Sequence, residues 1–278
     1  MIVAGAKTSP FAPFAAWARL LGMGARAHVP TVLRRPAYRA FGRVVGANLD
    51  EAELDLEQYD SLGELFARRL RPGARPMESD AAAVIAPCDG VVAAAGEATG
   101  GKLIQAKGLS YRLEDLVVDR QWAQALVDGP YATIYLSPRD YHRVHAPLDG
   151  RLVAYDYVPG ALWPVSPRFS ALRPELLARN ERVVIWLETP SVGRVAIVMV
   201  GAAGVGNIQL AHSSEAWERA SDHRRVQLDE RIERGDELGV FRLGSTVVMV
   251  FPPRAVALTA QAGEVMRFGQ RIGTRGAP

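Results

Sequence analysis

From about residue 81 onward the apolar residues fall into short runs separated by Gly, Asp-Gly and Pro, as in Tyr131–Leu136, Leu152–Val158 and Val247–Val250. Runs of that length bounded by turn residues predict strands. The first seventy residues read differently. Apolar and aromatic residues there are interleaved with arginines and predict helices over about 11–24, 31–46 and 60–70, punctuated by Pro30, Pro36 and Pro72. Two short helices are predicted inside the strand-rich part, at about 113–127 and 173–179. Arg71-Pro-Gly-Ala-Arg-Pro76 reads as a linker. The expected fold is α+β. A mainly antiparallel β body with short helices occupies 73–278, preceded by an amphipathic helical segment over 1–72.

Charge sharpens that division. Residues 1–49 hold Lys7, Arg19, Arg26, Arg34, Arg35, Arg39 and Arg43 and no acid, so this segment carries +7 of a total of +3 and the remainder is −4. Arginines among Phe11, Phe14, Trp17, Leu20 and Leu21 suit an interfacial helix on anionic lipid. Packing against the protein body is the competing reading. The longest apolar stretch, Phe11 to Ala18, is far short of the ~20 residues that span a bilayer, and the layout is not that of a signal peptide. No nucleic-acid fold signature accompanies the charge. With 49% of its 278 residues apolar, the chain can bury a sizeable core, and its single cysteine, Cys88, excludes an internal disulfide.

Three local features carry candidate chemistry. Gly244-Ser245 lies within a run that otherwise reads as strand, where both residues are poor formers. A bulge explains it. So does a reactive peptide bond, because glycine leaves its carbonyl open and the serine hydroxyl can attack it, given a base. Elimination would then cut the chain and leave a pyruvoyl group. Ser137-Pro-Arg-Asp-Tyr-His-Arg-Val-His145 holds two of the chain's five histidines, His142 and His145, beside Asp140. It is either a polar loop or a site, and no HExxH or Cys-rich spacing supports a metal. Asp89-Gly90 reads as a hairpin turn, or as a carboxylate that orients a histidine.

Together these segments resemble the phosphatidylserine decarboxylase family, the pyruvoyl-dependent proenzymes of bacterial and mitochondrial type. The resemblance covers most of the chain. It runs through Asp89-Gly90, Lys107-Gly-Leu-Ser-Tyr-Arg-Leu-Glu-Asp-Leu116, Tyr135 to His145, Ala178-Arg-Asn-Glu-Arg-Val183, Val200 to Gly206, and Gly239-Val-Phe-Arg-Leu-Gly-Ser-Thr246. Departures are Ala203-Gly204, where polar residues are more usual, and Arg234 in place of Lys.

The resemblance implies conversion of phosphatidylserine to phosphatidylethanolamine and CO2 through a Schiff base with a pyruvoyl group made from Ser245. It implies self-cleavage between Gly244 and Ser245, giving residues 1–244 (β chain) and 245–278 (α chain). The two products stay together as a heterodimer, and a higher homo-oligomer is left open. Asp89 would orient His145, and His145 would take the proton from Ser245 Oγ. His142 would return a proton after decarboxylation, and Asp140 would support either histidine. Neither pyridoxal phosphate nor a metal is expected. The chain has only three lysines, Lys7, Lys102 and Lys107, and no phosphate-cradling glycine loop. The expected location is peripheral, on the cytoplasmic face of the cell membrane. Two alternatives stand beside this reading. A pyruvoyl decarboxylase of a soluble amino acid would have no use for a basic, apolar N-terminus. A non-enzymatic lipoyl-type β module would need an exposed hairpin lysine, which Pro147-Leu-Asp-Gly150 lacks.

Overall fold

The computed structural model describes residues 23–106, 109–202, 208–212, 222–242 and 244–276. The helix expected over 11–24 lies almost wholly outside them. Of the described residues, most of the body is antiparallel sheet, as the strand pattern predicts. The main sheet has eight strands: β1 (Gly90–Glu97), β2 (Pro130–Leu136), β3 (Gly150–Val158), β4 (Arg182–Thr189), β5 (Gly193–Gly201), β6 (Arg224–Ile232), β7 (Ser245–Val250) and β8 (Val265–Met266). Their order is β6-β3-β4-β5-β7-β2-β1-β8.

Both faces of this sheet are covered, which explains why its central strands read as unbroken apolar runs instead of alternating ones. In β7 every residue is buried. Val247 and Met249 join one core cluster with Ile134, Met199, Val144 and Phe241. Val248 and Val250 join the other with Val198, Trp186, Leu113 and Leu116. On the first face lies a small sheet formed by Arg143–His145, Glu237–Phe241 and Ile208–Leu210. Side chains alternate along a strand, so Ser245 shares the face of Val247 and looks toward this small sheet. A third sheet joins Ala83–Ile85, Arg271–Arg275 and Val256–Leu258, and Lys102–Ala106 pairs with Leu109–Arg112.

Helix α1 (Thr31–Val45) forms nearly where predicted, ending on Gly46 in the left-handed conformation. Helix α2 (Leu62–Phe66) is shorter than the 60–70 expected. Ser61 caps its start by accepting from Glu64 N at 3.2 Å. It stops because Arg69 O and Arg71 N bond Glu53 N and Glu51 O, both at 2.9 Å, and pull the chain into an extended bridge. The single helix expected over 113–127 is two, Leu113–Val117 and Arg120–Gln124. Val118 takes a left-handed turn between them, and Asp119 caps the second through Trp122 N at 2.9 Å. Leu176–Arg179 lies within the expected 173–179 helix. The boundary expected at residue 72 falls where the helical segment is packed on the β body. Arg143 donates to Ala67 O at 2.7 Å, and Arg75 reaches Asp89 at 2.6 Å.

Neither Asp89-Gly90 nor Asp149-Gly150 is a hairpin tip. Gly90 and Gly150 each open a strand where the neighbouring backbone is close: a Cβ on Gly90 would sit 2.5 Å from Tyr135 O, and one on Gly150 2.4 Å from Glu188 O. Gly90→Ala should therefore lower unfolding stability by ~1–3 kcal/mol, the cost of forcing a methyl into a packed contact. Urea denaturation of the folded variant checks this, and an unchanged midpoint would show that the strand yields freely.

Candidate active site

Ser245 begins β7, bonded into a ladder on both sides, with Leu136 opposite it on β2 and Gly201 on β5. Its side chain is fully buried. His142 immediately precedes the Arg143–His145 strand, and its carbonyl accepts from Phe241 N at 3.0 Å, which ties it to the chain leading into Gly244. That placement brings His142 Nδ1 to 3.3 Å from Ser245 Oγ. The other ring nitrogen, Nε2, lies 3.0 Å from Ser137 O. A carbonyl can only accept, so Nε2 carries the hydrogen and Nδ1 faces the hydroxyl with a free lone pair. Phe66 stacks on the ring, centroid to centroid 4.1 Å.

Asp140 sets up this arrangement. Its Oδ2 accepts from both Ser137 N and Ser137 Oγ at 2.7 Å, which fixes the turn whose carbonyl holds His142. Through Ser137, Asp140 is linked to His142.

His145 is engaged elsewhere. Its Nδ1 donates to Gly235 O at 2.7 Å, its Nε2 faces Tyr141 Oη at 3.1 Å, and Phe268 stacks on it at 3.8 Å. Asp89, the expected orienter of His145, makes no hydrogen bond to it. Its carboxylate accepts from Arg75 Nε and Nη2 at 3.0 and 2.6 Å and from Phe268 N at 2.9 Å. The expected Asp89–His145–Ser245 relay is therefore not the hydrogen-bonded set. Asp89 is linked to His145 through Phe268, whose backbone it bonds and whose ring lies on the imidazole. Arg75, in the expected linker, has a side chain only 8% exposed and also pairs with Glu51 at 2.8 Å. Arg234 spans the carbonyls of Glu78, Asp80 and Ala83, a three-way contact suited to its fork.

This arrangement sits inside a sequence with known relatives. The sequence pattern of a family described as phosphatidylserine decarboxylase matches residues 62–274. The chain belongs to that family. A phosphatidylserine decarboxylase proenzyme of Myxococcus xanthus is 38% identical over 265 residues, covering 94% of each chain. A protein of the same description from Anaeromyxobacter is 40% identical over 271 residues, again 94% of each. One from Halorhodospira halophila is 45% identical over 246 residues, 87% of this chain and 84% of the relative.

Burial sets the protonation of both histidines. It pulls His142 down to about 3, aided by the nearby Arg68 guanidinium. His145 is pulled down to about 4, again by burial, against the opposing effect of its bond to Gly235. Both are neutral near pH 7. A neutral imidazole can accept a proton from Ser245, and the same burial makes the imidazolium costly, so a proton taken up must be passed on. The site also suits a prosthetic group made from Ser245. Among the described residues, a Cβ on Gly244 would meet nothing within 4 Å, so the residue before Ser245 is unhindered on that side. Among the described residues no three His, Cys, Asp or Glu side chains are grouped to hold a metal ion.

Phe66, Arg75, Tyr141, Gly235 and Phe268 were not legible as site residues. They come from distant segments, and only Tyr141 lies within the Ser137–His145 segment.

Because both histidines titrate below the ordinary value near 6.5, the unfolded chain takes up protons before the native one as pH falls. The stability they contribute is present above ~6.5 and is lost as pH falls toward 4 and 3. Urea midpoints should therefore drop between pH 7 and pH 5, and the drop should shrink in His142→Gln. A midpoint that holds constant over that range would mean the rings are solvated.

Proposed function

We propose that the protein is a pyruvoyl-dependent phosphatidylserine decarboxylase that makes its own prosthetic group by cutting the Gly244–Ser245 bond. The observation that carries this reading is the buried contact of His142 Nδ1 with Ser245 Oγ, directly after an unhindered glycine. Oγ attacks the Gly244 carbonyl carbon while its proton passes to His142. The C–N bond breaks, an ester forms, and the proton goes to the released amine. Intramolecular attack of this kind can gain ~7–11 kcal/mol over a bimolecular one. Loss of the Ser245 α-proton then expels the Gly244 carboxylate. Water replaces the nitrogen, which leaves as ammonia, and residues 245–278 begin with a pyruvoyl group. When present, that group supplies a ketone for the substrate amine and an acceptor for the electron pair left by CO2. His142 stays beside the same position, from which it can hand a proton to the substrate carbon.

This assignment gives His142 the role first expected of His145, because His142 is the histidine within hydrogen-bond reach of the hydroxyl. Ser245→Ala should remain a single chain of 30.1 kDa by mass spectrometry, where the native protein yields two, the smaller blocked at its N-terminus. His142→Ala should also stay uncut, and His145→Ala should cut slowly, having lost a brace and not the base. If His145→Ala stays whole while His142→Ala cuts, the base role returns to His145.

A substrate of this class lies in a bilayer, and the proposed location is peripheral. Among the described residues no helix is long and apolar enough to cross a membrane. Helix α1 exposes Val32, Leu33 and Val44, by 84%, 54% and 86%, together with Arg35, Arg39 and Arg43 at four-residue spacing. Apolar burial and ~1 kcal/mol per basic residue would hold such a face on anionic lipid. Val32→Glu/Val44→Glu should weaken sedimentation with anionic vesicles at least about fivefold, the scale of losing ~1 kcal/mol. Undiminished binding would place the lipid-facing surface elsewhere.

A further inference from the structure

Arg68 is 5% exposed, yet among the described residues it pairs with no carboxylate. Its only hydrogen bond is a long one, Nη2 to Arg139 O at 3.5 Å, and its Nε has no acceptor. The neighbouring guanidiniums are matched: Arg75 by Glu51 and Asp89, and Arg143 by Glu237. A buried cation without a counter-ion is costly, and a site keeps one where an anion arrives during function. Burial indeed pulls the Arg68 guanidinium below its ordinary range.

Arg68 lines a cavity of about 300 Å³ together with Arg75, Arg139, Arg267, Asp89 and Asp140. Arg75 is held by Glu51 and Asp89, and Arg139 lies 3.6 Å from Asp140. Arg68 and the exposed Arg267 are left to face an occupant. Arg68 also borders a cavity of about 390 Å³ lined by Glu53, Asp60 and Glu64 and by Arg69 and Arg143, whose guanidiniums Glu237 already holds.

Residues that line the first cavity are tied by short links to the proposed reacting pair and to α1. Asp140 belongs to the turn that holds His142, and Phe66, two residues before Arg68, stacks on that ring. Gly46 and Asn48, just past α1, also line it, two to four residues after the exposed Val44. We propose that Arg68, assisted by Arg267, binds the phosphodiester of the lipid substrate in this cavity. The inference rests on the decarboxylase reading. The substrate carboxylate is the poorer match. Its charge leaves during the reaction, so a guanidinium bound to it would stabilise the ground state over the transition state. The phosphodiester keeps its charge throughout, and binding it lowers KM with little effect on kcat.

The test uses the processed enzyme and a short-chain, soluble phosphatidylserine, with the extent of self-cleavage measured alongside. Arg68→Gln should raise KM about tenfold to a hundredfold, the scale of losing a charge-assisted bond, and Arg68→Lys should recover part of it. Glycerophosphoserine should compete with the substrate in the native enzyme, and much less in Arg68→Gln. A native enzyme that releases no CO2 from the lipid defeats the decarboxylase reading itself. An active native enzyme whose KM is unmoved by Arg68→Gln overturns this proposal alone. Should Arg68→Gln fail to fold, Arg267→Gln on the exposed rim decides: a KM rise of about threefold supports the cavity, and no rise refutes it. Inorganic phosphate competing as well as glycerophosphoserine would make this a general anion site and overturn the headgroup assignment.

Discussion

The site depends on the immobility of Ser245. Strand β7 is laddered to a neighbour on each edge and packed on each face, so its first residue has almost no freedom. A hydroxyl held this way needs only one more fixed group to become reactive. His142 is placed to be that group, held in turn by Ser137 through Nε2 and by Phe66 across its ring. The reactive pair is thus a meeting of two rigid pieces that lie 103 residues apart in the chain. Burial keeps the ring neutral and keeps water away from the ester that self-cleavage would form.

An ion triplet buried at its centre performs the complementary task. Glu51, Arg75 and Asp89 join the helical segment to the β body, with the Arg75 and Asp89 side chains each only 8% exposed. Breaking such a group is costly because the remaining partner is left charged and dry. Asp89 also holds Phe268 N, and Phe268 covers His145. The N-terminal segment and the C-terminal strands therefore bear on the same two histidines, from opposite ends of the chain.

Much of the architecture was legible in the sequence. Apolar runs bounded by Gly and Pro marked the strands, and arginines interleaved with apolar residues marked α1. The break between the helices at 113–117 and 120–124 was signalled only by Asp119, a capping residue hidden in an otherwise continuous pattern. The residue types of the site, Ser245 after glycine and two histidines near Asp140, also stood out. Which histidine meets the serine did not, because that is settled by the small sheet lying over β7 and by where Ser137 O points. Arg68, Arg75 and Phe268 left no local signal. Their roles arise from burial, and burial of an arginine or of one phenylalanine among many depends on which segments fold against it.

The placement of residue 245 has a consequence for the order of events in the life of the chain. Residues 245–276 supply the central strand β7, β8 at the sheet edge, and two strands of the third sheet. While the chain is whole, these pieces find their places as parts of one molecule. After a cut at 244–245 the same assembly would be an encounter between two molecules, dependent on their concentrations. The short piece alone could not satisfy its ladders. Folding must therefore come first and cutting second, and a cut enzyme that unfolds would regain its structure only by a second-order process. Maturation of this kind works as a ratchet: it trades the ability to refold for a reactive chain end.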